Sequence, residues 1–493
     1  RIKDYEIKEE SIIASRQNIY IKFPMYKLNA SRLGEILSHP PEYIIKPKET
    51  KENKEARLLL TLYQKGRFAV FLKTFEYFTK TYPQSTYDEI VRHLAADVHY
   101  SLWKKHVGPI EYEKQTSLLR YLIERYQDSV LTERSELILA YSELERFNGV
   151  GTIQKFLNFL KKYPESKERD QAKKALAEGY LLINKYDDAL RVLKELETTA
   201  DEKASAAEAT YRIGDVYFQN KQYEQAIEAY DVALKKYPNL ESQFANAHYN
   251  LAEAKFWLGK FKESLEHYVR FVELFPADAF GGYALTRIGE VLGILGADER
   301  KIMGAFLESS YRFRGSEGAG VARIRMLSQK MKGMREKEME KALEEMTQIS
   351  KNSNLPRMEE FVTLMVADGL HRRREYNKAS NYLISYYQRN PTSTDATFFK
   401  KRILKNISDL MKEKIDQEDF MGVLNTNGKY ASTWLKNSER VDVKYFVGSA
   451  YEKAGVYREA EKIYEETLNK LKSIKGTREE KERRVNEHLP SIS

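Results

Sequence analysis

The stretch RGSEGAG, Arg314–Gly320, is the nearest this sequence comes to a phosphate-cradling loop. It lacks the Lys of a GxxxxGK[ST] loop, and it falls between helical stretches, where glycine ends helices. The paired acids Glu9–Glu10 and Glu479–Glu480 have the groups for acid–base work but sit in charge runs. Nothing apolar surrounds them to move a pKa. The 8 His are scattered, with no HxxxH or HExxH pair, and there is no Cys at all. Disulfides, thiolate metal sites and a cysteine nucleophile are therefore excluded, and an oxidising compartment is tolerated. Two basic clusters, HRRRE at His371–Glu375 and Arg312, Arg314, Arg323 and Arg325, have the charge to contact phosphates. Acids interleave with them, and no aromatic stacking signature accompanies them. No catalytic constellation, metal site or cofactor site emerges.

The rest of the chain must then be read for surface. Its 493 residues are 42% apolar and 31% charged, a balance too apolar for disorder and too charged for a membrane bundle. The net charge of +9 is a mild excess at this length and reads as a solubilising face. Apolar runs such as VLGILGA are far short of the roughly 20 residues a membrane-spanning helix needs. Arg1 in place of Met points to a processed or trimmed chain.

Periodicity is the strongest signal. YRIGDVYFQNKQYEQAIEAYDVALKKYP, Tyr211–Pro238, reads as two amphipathic helices closed by proline. The next hairpin, Ala245–Pro276, repeats it at an offset of 38: Gly214 with Ala252, Ala226 with Ser264, Tyr230 with Tyr268, Pro238 with Pro276. One unit earlier stand Ala177, Tyr180 and Ala189; near the C-terminus stand Gly448, Tyr451, Ala460 and Tyr464. Pro83, Pro164 and Pro391 carry the same period outward. Small residues let paired helices approach, aromatics fill the space between units, and Pro stops the second helix.

These residues resemble the tetratricopeptide repeat. The period near 38 is similar to that of units in bacterial envelope proteins. The resemblance implies an all-α, right-handed superhelical solenoid of about eleven helix pairs from residue 55 to 472. The signature is weak where Phe71 replaces Ala, around residue 127 where the closing Pro is missing, and over Phe280–Lys351. The expected organisation is a β-like segment and linker at 1–50, an N-terminal array at 51–276, degenerate repeats at 277–357, and a C-terminal array with a charged tail at 358–493. Within the first part, the alternation in QNIYIKFPMYKL (17–28) and the stretch YEIKEESII (5–13) predict strands, the end of a β-domain upstream.

In this family the first helix of each unit lines a concave groove. Carried over by the resemblance, the groove residues are Glu178, Tyr211, Asp215, Phe218, Tyr249, Glu253, Phe256 and Glu290. They would form a column of acids flanked by exposed aromatics. Such a column suits a basic and apolar peptide segment of a partner protein and repels the carboxylate that chaperone-tail binders clamp. The resulting expectation is a non-enzymatic scaffold for protein–protein interactions in a bacterial multiprotein envelope assembly: secretion, outer-membrane or cell-wall assembly, or a motility motor. Its setting would be the periplasm or cell envelope, within a membrane-associated complex. The alternatives are a cytoplasmic protein, a nucleic-acid-binding helical repeat, and the recognition arm of an enzyme whose catalytic domain lies elsewhere.

Overall fold

The computed structural model describes residues 20–106, 108–391, 396–436, 438 and 440–473. Among them, regular structure is helical throughout. A short α1 (Leu33–Ser38) precedes α2 and α3 (Lys51–Gln64, Phe68–Thr81), α4 and α5 (Asp88–His106, Pro109–Arg125), and α6 and α7 (Thr132–Glu145, Gly149–Lys162). Then come α8 and α9 (Arg169–Leu182, Tyr186–Thr199), α10 and α11 (Lys203–Gln219, Tyr223–Lys236), and α12 and α13 (Ala245–Trp257, Phe261–Leu274). The remainder are α14 and α15 (Gly281–Ile294, Glu299–Arg312), α16 and α17 (Glu317–Lys330, Glu336–Asn352), and α18 and α19 (Met358–Arg372, Tyr376–Arg389). Last are α20 and α21 (Ala396–Asp416, Phe420–Tyr430) and α22 and α23 (Val441–Lys453, Tyr457–Ser473). In sequence order α2–α23 make the eleven pairs the periodicity implies.

The turns inside the pairs share one grammar. In nine of the eleven, the second residue after the first helix adopts positive φ: Gly66, Phe147, Asn184, Lys221, Gly259, Gly296, Arg374, Glu418 and Gly455. In the α10–α11 turn, Lys221 N–H donates to Phe218 O at 3.0 Å and Gln222 N–H to Tyr217 O at 2.9 Å, closing the helix end. Four second helices, α3, α5, α7 and α11, end at a tyrosine whose N–H reaches back four residues, as Tyr163 does to Phe159 O at 2.8 Å. Tyr126 does the same to Leu122 O at 2.9 Å, so α5 stops without the missing proline.

Small residues act as the sequence implies. A Cβ on Gly214 would lie 2.5 Å from the Tyr230 ring, and one on Gly448 would lie 2.7 Å from the Tyr464 ring. The contact persists where the signature fades: a Cβ on Gly289 would lie 2.5 Å from the Phe306 ring. Phe71 is buried against Phe75, with ring centroids 6.2 Å apart.

The chain divides into two compact units. The first is Met25–Lys260. Its core runs as successive clusters: Leu59, Phe71 and Phe78, then Ile138, Phe156 and Leu193, then Tyr211, Tyr230 and Leu251. The second is Phe261–Ser493 with Arg1–Pro24. Its main cluster gathers Ile21 and Phe23 with Val321, Phe361, Ile403 and Val447. The division falls after Lys260, inside the expected 51–276 array.

The strand expectation over 17–28 needs correction. Tyr20–Leu28 is extended, but no strand exists among the described residues to pair with it. Main-chain groups of Ile21, Tyr26 and Leu28 are met by helix side chains instead. The second expected strand, 5–13, lies outside the described residues. The linker ends at Thr50, whose side chain accepts from Asn53 N–H and caps α2.

Candidate partner-binding face

In the first unit, four first helices, α6, α8, α10 and α12, present side chains to one extended stretch, Met25–Arg32. From α12, Asn250 brackets a single residue. Tyr26 N–H donates to its Oδ1 at 2.9 Å, and its Nδ2 donates to Tyr26 O at 3.0 Å. From α10, Arg212 donates to Asn29 O at 3.0 Å and Leu28 O at 3.4 Å. From α8, Glu178 faces the Lys27 ammonium at 3.8 Å. Further along, Ser31 Oγ donates to Glu145 Oε1 at 3.1 Å, and Arg32 pairs with Glu168 at 2.6 Å. The main-chain contacts of the stretch run from α12 at Tyr26 back to α10 at Leu28 and Asn29. Both main-chain readers are buried: Asn250 is 0% exposed and Arg212 is 5% exposed.

Asn250 is held by the Asp215 carboxylate, which accepts from Asn250 Nδ2 at 2.8 Å, from Asn246 Nδ2 at 2.9 Å and from the Tyr230 hydroxyl. Burial pushes the Asp215 carboxyl up to about 6, with the hydrogen bonds from Tyr230 and Asn246 pulling the other way. Lys174 and Arg212 share Glu208, at 2.6 Å and 2.8 Å.

The second unit treats its own extended piece similarly. Arg287 on α14 donates to Ile21 O at 2.9 Å, and its guanidinium lies 4.4 Å from the Phe23 ring centroid. Arg325 on α16 stands 5.2 Å from the Tyr20 ring centroid. Glu290 bridges the two arginines, at 2.6 Å to Arg287 and 2.7 Å to Arg325.

The residues expected to line a groove are thus placed differently from the expectation. The aromatics are not exposed. Tyr211 stacks on Phe244 with centroids 4.4 Å apart, Phe218 packs on Tyr223, and Phe256 packs edge-on against Trp257. Tyr249 is buried, 6.4 Å from the Tyr26 ring. Nor do the acids form an open column. Asp215, Glu253 and Glu290 are buried, and Glu253 accepts from Trp257 Nε1 at 3.0 Å. The cause is common to all: a close-packed helical pair encloses these positions, and buried carboxylates must then be paired. Glu178 alone of the eight is not buried.

Sequence reading missed Arg212, Asn250, Arg287 and Arg325. They recur at intervals of 38, 37 and 38 residues, and the first three lie three residues before Asp215, Glu253 and Glu290. A search for recurring donors beside the acids would have found them.

Most of the basic-cluster arginines are tied down, while Arg314 and Arg374 are exposed. Arg373 donates to Met331 O at 2.9 Å and Met334 O at 2.6 Å, and Arg372 to Ser328 O at 2.8 Å. Arg323 pairs with Glu345 at 2.6 Å. The glycine-rich run is a packing joint: Gly318 abuts the Gly282 main chain, and Thr286 Oγ1 donates to Gly318 O at 2.8 Å. Among the described residues no His, Asp and Glu cluster suited to a metal ion is found, and no helix is long and apolar enough to cross a membrane.

Tetratricopeptide repeat models match residues 174–241 and 445–479. No curated protein matches the chain in sequence. Similar solved structures include the apo form of RapI, at 14% identity over 75% of this chain and 99% of that chain, TM-score 0.42. A tetratricopeptide repeat protein from Parabacteroides merdae is 15% identical over 55% of this chain and 98% of its own, TM-score 0.38. A Rap protein complexed with competence and sporulation factor is 12% identical over 74% of this chain and 99% of its own, TM-score 0.34. Likenesses this distant carry no functional inference. The matched repeats are interaction modules, typically without catalytic chemistry of their own. Repeat models match in both units and glycine-to-aromatic packing recurs in each, so the chain carries tetratricopeptide repeats, modules that support a protein-interaction scaffold.

Proposed function

We propose that this scaffold works in a bacterial envelope assembly, in the periplasm, and that its first-helix face receives an extended, basic and apolar segment of a partner protein. One observation carries the second half: Asn250 and Arg212, both buried, spend their hydrogen bonds on the main chain of an extended segment. Main-chain reading with a charged contact beside it is how extended peptides are held. The resemblance of the 38-residue period to envelope repeats supports the setting, and the absence of Cys is compatible with it. The chain contributes binding and geometry, with no enzymatic step.

The test is capture of partners from separated envelope and cytosolic fractions of the source cells. The chain and a Glu178→Lys variant are compared at equal helicity, because Glu178 is the one expected groove acid that is not fully buried. We expect envelope proteins to be retained by the chain and weakened several-fold by the variant. Partners drawn only from the cytosol would overturn the setting; partners indifferent to Glu178→Lys would overturn the face.

A further inference from the structure

We propose that Met25–Arg32 is a displaceable occupant of the first unit's binding face, and that a partner enters by supplying an extended segment that takes over Asn250 and Arg212. This rests on the reading of that face as a protein-binding surface and names its ligand: a main chain in extended form, with an apolar or aromatic residue at the bracketed position and a cation next to it.

The contrast in burial carries the inference. No residue from Pro24 to Arg32 is buried. Immediately before, Ile21 and Phe23 are 1% and 3% exposed, and immediately after, Leu33 is 0% exposed. Buried anchors therefore flank a run held by main-chain hydrogen bonds, the Ser31–Glu145 bond, ion pairs of Lys27 at 3.8 Å and Arg32 at 2.6 Å, and only partial packing of Met25, Leu28 and Ala30. Each such bond contributes only about 1 kcal/mol net, and an exposed ion pair adds little. The groups beneath are the reverse: buried, fixed by Asp215 and Glu208, and costly to leave unpaired. Such a face keeps an occupant but does not need this one. An open cleft of about 480 Å³ borders the run from Lys27 to Ser31, and its far wall holds Leu144, Leu182 and Phe147, the last 79% exposed. An arriving segment has room to land beside the run before replacing it.

The test uses the full chain and a fluorescent synthetic peptide of residues 20–33, read by anisotropy. In one variant, Tyr26→Pro removes the N–H that Asn250 accepts, and Lys27→Glu repels Glu178. An occupant that leaves the face free only a fraction of the time weakens a competitor by that fraction. We therefore expect the double variant to bind the peptide at least tenfold more tightly than the unaltered chain. Adding Asn250→Ala to the double variant should remove that gain.

Equal affinity for both chains would overturn the proposal. So would absence of binding to a double variant of unchanged helicity. Loss of helicity in the double variant would show the run to be part of the core, and the proposal falls there too. Protection of residues 25–31 against hydrogen exchange in the unaltered chain equal to that of α10 would count the same way. Because the peptide is synthetic, its failure leaves partner capture through Glu178 standing as a separate result.

Discussion

Asp215 is the residue on which the binding face depends. Its two oxygens collect donors from the second helix of its own pair and the first helix of the next, and through Asn250 they fix the amide that reads Tyr26. Its carboxyl titrates at about 6 because burial outweighs its hydrogen bonds. Its ordinary value is 3.8, so the folded chain holds this proton more tightly than the unfolded chain. The stability it contributes is fully present below about 4 and is lost as pH rises through about 6, amounting to roughly 3 kcal/mol for a shift of this size. Asp215→Asn abolishes the titration and keeps the shape. The buried Oδ1 of Asn246 has no hydrogen-bond partner, so a flipped Asn246 accommodates the new amide. From pH 4 to pH 7 the wild type should lose about 3 kcal/mol relative to Asp215→Asn in urea unfolding followed by circular dichroism. A difference independent of pH would show that the carboxyl is not desolvated as described.

Helices here are positioned by what their smallest residues admit. Gly214 lets α10 close on Tyr230, a ring with no exposed surface and a hydroxyl committed to Asp215. Alanine at 214 gains about 1 kcal/mol of helix propensity but places a methyl 2.5 Å from a ring that cannot retreat. Overpacking costs about 1–3 kcal/mol, so the net effect is destabilising. Gly214→Ala should speed hydrogen exchange in α10 and α11 and weaken the Asn250 bracket, whereas Gly304→Ala, at a position with open space around it, should not. Equal effects from the two would refute the packing argument. The same residues explain why the fold was legible. A glycine facing an aromatic sixteen residues on, as Gly214 faces Tyr230 and Gly448 faces Tyr464, records helix contact directly in sequence spacing. The face was less legible, for two physical reasons. Within the first unit its main-chain readers change type from Arg212 to Asn250, so no single residue type repeats. And the alternation around Ile21 and Phe23 reports only that one side of an extended chain is buried, not whether its main chain meets a strand or side chains.

At the scale of the whole molecule, the question is what a basic chain does with its charge. A net +9 over 493 residues keeps open the reading as a nucleic-acid-binding repeat. That reading needs cations free to replace counterions along a phosphate backbone. Five of the seven arginines that raised it are otherwise engaged. Arg325 lies between Glu290 and the Tyr20 and Phe361 rings, Arg323 is paired with Glu345, Arg312 with Glu308, and Arg372 and Arg373 donate to main-chain carbonyls. His371 faces Asn406 at 2.7 Å and Asp409 at 3.4 Å. Releasing any of these toward a phosphate strands a carboxylate or a carbonyl, which offsets the new contact. The expected outcome is that a labelled single-stranded oligonucleotide binds the full chain no more tightly than about 100 µM at physiological salt, the weak end of non-specific association. Lowering the salt should give only a shallow gain, because few counterions are exchanged. A low-micromolar midpoint that falls steeply with added salt, and that Arg323→Glu weakens, would make the charge functional and return the nucleic-acid reading to first place.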